Sequence, residues 1–325
     1  MRILVIGSAG FIGQFLVRKL ADANHEIVGL DVNPHPAEIH NICKCFSGNL
    51  CSRHDVMKAA KDVDMVITLA AKHHDFGVSR EEFFKVNETG TQILLDVAGT
   101  LSLKKLIFYS TVAVYGTRAE PSTEEMDPCP DSNYGESKLA GEKLIYNWCD
   151  ADKSRCVILI RPTVIFGPNN YANVYNLIDV IYKRKFVFVG SGENIKSVAY
   201  VENLVDATIF LMNKMNPGIQ IYNYSDEPQM SIKEIVDTIS KFMPHEVPER
   251  KLPLWLATTF GSIFDILARI TGHNYPITAA RMKKFATTTH HKADKIRSLG
   301  FQQKVDTEEG FRRMVEWYLE KHTSK

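Results

Sequence analysis

The sequence predicts an α/β protein built on a doubly wound parallel sheet, completed by a smaller mixed α/β C-terminal domain. Three observations carry that expectation. Short β-branched runs alternate with helical patterns through the first half, the pattern of a parallel sheet with helices on both faces. The first run, Ile3-Leu4-Val5-Ile6, leads directly into a glycine-rich turn that opens a helical pattern. The second half is less regular and is punctuated by Pro244, Pro248, Pro253 and Pro276. Strands are expected at 3–6, 26–30, 65–69, 105–109, 157–160 and 218–224, and helices at 11–21, 53–60 and 83–98.

Composition narrows the function classes. The chain has 325 residues, 45% of them hydrophobic, with a formal net charge of +1. That balance gives no electrostatic footprint for nucleic acid, and none is expected as a partner. The six cysteines, Cys43, Cys45, Cys51, Cys129, Cys149 and Cys156, form no C-x-x-C pair and read as reduced thiols, with no metal site. Arg2 is followed at once by the first strand, so no signal peptide is expected and the protein reads as cytoplasmic. Residues 252–264 carry no charge but are too short to span a bilayer. They are either a core helix or a helix touching a lipid or the inner face of the membrane.

Gly7-Ser8-Ala9-Gly10-Phe11-Ile12-Gly13 follows the first strand and opens the first helix. Gly7 permits the tight turn, Gly10 clears the approach of a pyrophosphate, and Gly13 lets helix and strand pack closely. The helix N-terminus supplies N–H groups and a favourable dipole. A glycine triplet alone is a weak signal. Here the second strand ends in Asp31, eighteen residues after Gly13, where a carboxylate can accept the adenosine ribose hydroxyls and repel a 2′-phosphate. No Lys or Arg occurs between Asp31 and Lys44, which favours NAD over NADP.

Tyr134-Gly135-Glu136-Ser137-Lys138 sets a phenol and an ammonium four residues apart on one helix face. A free phenol has a pKa of about 10 and is a poor base at neutral pH. A nearby ammonium favours phenolate and allows proton exchange with a substrate hydroxyl. Upstream, Phe108-Tyr109-Ser110-Thr111 ends a predicted strand, the place where open α/β sheets bind ligands. Thr111 is the candidate proton relay, with Ser110 beside it; the plain alternative is a buried strand-end threonine without a role.

With these motifs on the page, the chain resembles the extended short-chain dehydrogenases of the NAD-dependent epimerase/dehydratase family, whose dinucleotide domain is of the Rossmann type. Further segments that carry the likeness are Leu69-Ala70-Ala71, Val86-Asn87-Glu88-Thr89-Gly90-Thr91, Arg161-Pro162-Thr163 and Tyr200-Val201-Glu202-Asn203. The resemblance implies NAD as cofactor, with Asn49 and Leu50 flanking adenine, Leu69, Ala70 and Ala71 on the pyrophosphate side, Asn87 toward the nicotinamide half, and Thr163 among the cofactor contacts. Asn49 stands where the family often has aspartate. Val164 replaces an asparagine that contacts substrate in many UDP-sugar enzymes, which argues against an ordinary UDP-galactose 4-epimerase.

The rest is similar to a narrower group, the bacterial surface-polysaccharide sugar 4-epimerases, some acting on N-acetylglucosamine carried by a polyprenyl diphosphate. That likeness rests on residues 160–167, 173–177, 196–201, 222–226 and 277–285. It implies a diphosphate-linked hexose or N-acetylhexosamine as substrate, with Asn173, Lys196 and Arg281 as contacts. His73 and His74, just after Ala71, are expected to overhang the sugar, and His290-His291 reads as surface. The expected division is a cofactor domain over 1–167, completed by about 196–225, and a substrate domain over 168–195 and 226–325. A homodimer is expected. The rivals are a reductase or dehydrogenase using the same residues, a sterol-type dehydrogenase, and a non-catalytic NAD sensor.

Overall fold

Apolar runs such as Ile3-Leu4-Val5-Ile6 need cover on both faces, and the molecule supplies it. The computed structural model describes residues 1–73, 77–248, 250–259, 262 and 286–323. Strands β1 (Arg2–Ile6), β2 (Glu26–Asp31), β3 (Lys44–Ser47), β4 (Met65–Thr68), β5 (Lys105–Tyr109) and β6 (Cys156–Pro162) join Gly218–Tyr224 in one seven-stranded sheet. From one edge the order is Gly218–Tyr224, β6, β5, β4, β1, β2, β3, and every neighbouring pair is parallel. The order reverses between β1 and β4, so their carboxyl ends border the crevice where such sheets bind ligands.

The period of two sorts the strands' side chains into two layers. Ile3 and Val5 meet Leu16, Val17 and Leu20 of the Phe11–Asp22 helix and Leu204 and Leu211 of the Val201–Met212 helix. Leu4 and Ile6 belong to the opposite layer with Leu94 and Leu95 of Gly90–Thr100 and Ile145 of Asn133–Asp150. A third cluster lies beyond the sheet. Val174, Ile178, Ile235, Ile239, Phe311 and Met314 bring together the helices Asn173–Tyr182, Ile232–Lys241 and Thr307–Thr323, and the Phe166 and Phe311 rings stack at 4.4 Å.

Three sequence expectations change. β3 was not foreseen, because Lys44–Ser47 is a short, half-exposed edge strand without an apolar run. The single helix expected at 83–98 is a short α-helix, Arg80–Phe84, a π-helical turn, Lys85–Thr89, and a second α-helix, Gly90–Thr100. His291, read as surface, is 7% exposed. Its N–H donates to Ser197 Oγ at 2.9 Å and its ring stacks over Tyr115 at 6.2 Å. The polar neighbours His290 and Lys292 concealed this in the sequence. Backbone hydrogen bonds clamp the same segment on both sides, Ser197 N–H to Thr289 O and Ser122 N–H to His290 O.

Of the uncharged 252–264 stretch, residues 252–259 and 262 are described. Lys251–Leu252 pairs with Phe188–Val189, Ala257 is buried, and Trp255 is 69% exposed. Among the described residues no helix is long and apolar enough to cross a membrane.

Burial lowers the pKa of His291 from 6.5 to about 4, with the charges of His290 and Lys196 acting in the same direction. The unfolded chain therefore takes up a proton first on acidification, and stability drains away as pH falls from 6.5 to about 4. The loss is on the order of 3 kcal/mol for this group. Urea melts across that window should show it, and His291→Gln should flatten the slope; an unchanged slope would contradict the assignment.

Candidate active site

The cofactor loop is shaped by backbone contacts. Gly7 ends β1 with φ +90° and donates its N–H to Leu30 O at 2.8 Å. A Cβ on Gly13 would stand 2.1 Å from Gly7 O, so only glycine lets the Phe11–Asp22 helix start this close to the strand. Gly10 is the N-cap, with no side-chain cap and no acid in the first turn. The amide N–H groups around Phe11 and Ile12 thus have no side-chain cap, an arrangement that suits an anion. Leu69 and Ala70 both donate N–H to Ile6 O, at 2.8 and 3.1 Å, which brings β4's extension, with Ala71, beside the loop across the crevice.

Asp31 closes β2. Its Oδ2 accepts the Ala9 N–H and its Oδ1 the Asn33 N–H, each at 2.9 Å, so the carboxylate is fixed against the glycine loop. Ser8 and His35, which the sequence did not single out, share a hydrogen bond of 2.7 Å behind that loop. After β3, Asn49 is exposed, accepts the Cys51 N–H and donates its own to Asp55, while Leu50 is buried beneath it.

The second half of the site forms where β5 ends. Thr111 caps a 3₁₀ turn, Val112–Tyr115, by accepting the Ala113 N–H at 3.1 Å. Ser132 caps the Asn133–Asp150 helix, accepting the Gly135 N–H at 3.2 Å. A Cβ on Gly135 would lie 2.5 Å from Ala113 O, so the turn carrying Tyr134 rests on the turn that Thr111 caps. Tyr134 meets the Phe83 ring at 6.2 Å.

Lys138, one helical turn on, is fully buried. Its Nζ donates to Tyr109 O at 2.7 Å and lies 4.3 Å from the centre of the Phe108 ring. Burial pushes the ammonium down to about 7, against the opposing pull of Glu142. Asn87 sits in the π-helical turn, a distortion common at functional sites. It holds Lys72 through both backbone groups, at 2.9 and 3.0 Å, and donates to Ser137 Oγ at 2.9 Å. The sequence pattern put Asn87 within a single helix and gave no sign of the π-helical kink in which it lies.

Ser110 does not point at an open cleft: its hydroxyl donates to the buried Glu142, which Arg161 also grips through two hydrogen bonds of 3.0 and 2.6 Å. Glu142 escaped attention in the sequence, although Lys138 and Glu142 share the spacing that links Tyr134 to Lys138, and Arg161 was noted only as part of a family-like segment, with no role. Thr163, just past β6, has a buried hydroxyl without a hydrogen-bond partner. A buried orphan hydroxyl, an uncapped helix start and a carboxylate at the end of β2 together fit a dinucleotide.

The expected substrate contacts are spread more widely. His73 is exposed at the edge of the described segment, and Asn173 is exposed at the start of its helix. Lys196 donates to Thr287 O at 2.5 Å and so helps anchor the C-terminal segment. His74 and Arg281 lie outside the described residues.

Gly13→Ala should abolish dinucleotide binding, because relief of a 2.1 Å contact must displace the helix that faces the phosphates. Asp31→Ala should weaken NAD and narrow its margin over NADP. Calorimetric titration of both cofactors checks this; NAD affinity unchanged in Gly13→Ala would refute the loop geometry.

Comparison with known proteins places the chain. The model of the NAD dependent epimerase/dehydratase family matches residues 3–224. The N-acetyl-alpha-D-glucosaminyl-diphospho-ditrans,octacis-undecaprenol 4-epimerase of Escherichia coli O157:H7 is 34% identical over 317 residues, covering 97% of this chain and 94% of that protein. Human dTDP-D-glucose 4,6-dehydratase is 27% identical, over 98% of this chain and 90% of its own. The fold matches the UDP-glucose 4-epimerase of Thermotoga maritima, solved with UDP-glucose, with TM-score 0.79 at 20% identity, over 99% of this chain and 100% of that one. The chain is an enzyme of the NAD dependent epimerase/dehydratase family, with NAD as its cofactor.

Proposed function

We propose that this enzyme is a sugar 4-epimerase acting on a diphosphate-linked hexose or N-acetylhexosamine in surface-polysaccharide biosynthesis. The observation that carries the reading is the seating of Thr111, Tyr134 and Lys138 around one strand end, and the 34% identity to a lipid-linked sugar 4-epimerase over 97% of the chain supports it.

Bound NAD supplies the hydride acceptor and donor for C4 of the sugar. Tyr134 takes the proton from the C4 hydroxyl and returns it after the keto sugar has turned over. The Lys138 ammonium favours the phenolate form of Tyr134. Thr111 accepts the Ala113 N–H, which leaves its own hydroxyl proton available to donate to the C4 oxygen.

The carrier is a polyprenyl diphosphate in preference to a nucleotide. Val164 is 39% exposed where a polar uridine-sugar contact would be expected, and Leu254 and Trp255 present apolar surface in a segment without charge. Burying an isoprene unit there would contribute about 25 cal/mol per Å². Contact with the inner face of the membrane, a homodimer, and a substrate-binding role for 168–195 and 226–325 complete the proposal.

Tyr134→Phe is expected to keep NAD but lose turnover by roughly 10²–10⁴-fold; near-normal activity would remove the phenol from the mechanism. UDP-N-acetylglucosamine and N-acetylglucosaminyl-diphospho-polyprenol, assayed side by side for inversion at C4, test the carrier. Efficient turnover of the nucleotide sugar alone would overturn the lipid carrier. Reduction of a 4-keto sugar by NADH without inversion would overturn the epimerase.

A further inference from the structure

Behind the catalytic residues lies a buried charge pair that the proposed chemistry does not use. Glu142 is 0% exposed and Arg161 is 1% exposed. Arg161 donates to both Glu142 oxygens, Nε to Oε1 at 3.0 Å and Nη2 to Oε2 at 2.6 Å, and Ser110 Oγ donates to Oε1. Arg161 Nη1 also donates to Tyr115 OH at 2.8 Å, and that hydroxyl donates to Asn223 Oδ1 at 2.8 Å. Lys138 and Glu142 are one turn apart on the same helix and hold consecutive residues of the β5 end, Tyr109 by its carbonyl and Ser110 by its hydroxyl. Thr111 is the next residue.

A buried ion pair is a poor device for stability alone, since well-packed apolar residues of similar volume often do as well or better. This pair also sits where its charge matters. Lys138 is desolvated, and Glu142 supports its charged form. The other groups turned toward the cluster are neutral phenols or lie farther out. Tyr146 OH approaches Glu142 at 3.4 Å, Tyr115 bridges to Arg161, and Glu124, held toward its neutral form by burial, accepts the Asn223 N–H. Near Tyr134, Arg80 and Glu136 form an exposed pair of their own.

We propose that the Glu142–Arg161 pair is a positioning element for the Tyr134–Lys138 couple: it seats the catalytic helix on the end of β5 and, by cancelling its own charge, leaves no net charge of its own beneath the phenol. This rests on the catalytic reading of Tyr134 and Lys138, but not on the identity of the sugar.

Ultraviolet titration of the NAD-loaded enzyme tests it, with Tyr134 isolated as the difference between each protein and its Tyr134→Phe counterpart. Glu142 lies eight residues from Tyr134, about 12 Å along the helix. Glu142→Gln removes a negative charge there and should lower the Tyr134 titration by about one pH unit at an effective dielectric constant of about 20. Arg161→Met should raise it, and the double variant carrying both changes should return it close to the parent value. One common titration in all folded variants would mean a merely structural pair and would overturn the proposal. Should Glu142→Gln fail to fold, Arg161→Met decides: an upward shift supports the proposal and no shift overturns it. Shifts that persist in an enzyme inert toward every sugar would sink the epimerase reading and leave this one standing.

Discussion

The docking of one helix on one strand end organises this molecule. The Asn133–Asp150 helix carries the phenol, the ammonium and a buried carboxylate on a single face, and that face is fastened to Tyr109, the last residue of β5, and to Ser110, which follows it. Lys138 takes the Tyr109 carbonyl, Glu142 takes the Ser110 hydroxyl, and Arg161 reaches from β6 to neutralise the carboxylate. Neither charged group could be buried alone at acceptable cost. Because each bond is short-ranged and directional, a small shift of the helix would break several at once, so Tyr134 and Thr111 inherit their relative placement from contacts that lie beneath them.

The cofactor half of the site works differently. Its geometry comes from the backbone: a left-handed Gly7, a helix that begins in van der Waals collision range of that glycine's carbonyl, and an extension of β4 hydrogen-bonded to Ile6. Asp31 spends both oxygens on N–H groups of the loop and its own turn, which places its charge at the sheet edge with little freedom to move. Asn87 joins the two halves. Its amide binds both backbone groups of Lys72 on the cofactor side and the hydroxyl of Ser137 on the catalytic helix, and the π-helical turn is the distortion that lets it do so.

The C-terminal region is held by a third kind of contact. Thr289, His290 and Lys292 exchange backbone hydrogen bonds with the 195–197 segment and with Ser122, and Lys196 adds its ammonium to the Thr287 carbonyl. His291 is thereby carried inward onto Tyr115, whose hydroxyl belongs to the Arg161 network. A chain of packed groups therefore runs from the C-terminal segment to the floor of the active site, through residues that sequence spacing alone would not associate.

What the sequence determined by itself are the features with local causes. The glycine loop, Asp31 at the end of β2, the strands with continuous apolar runs and the Tyr134–Lys138 spacing were all legible, because each depends on residues near in sequence and on a fixed helical or extended period. The family resemblance added Asn87 and Thr163 as expected cofactor contacts. Tertiary structure alone decided the rest. β3 has no apolar run of its own and exists because β2 offers it an edge. The break at Lys85–Thr89 answers a hydrogen bond across 50 residues, from Asn87 to Ser137. Glu142, Arg161, Ser110 and His291 look like surface or strand-end residues in the sequence, and their partners come from other elements. Burial of a polar side chain is set by what packs over it and by whether its hydrogen bonds are met there, and neither is encoded in the residue's own neighbourhood.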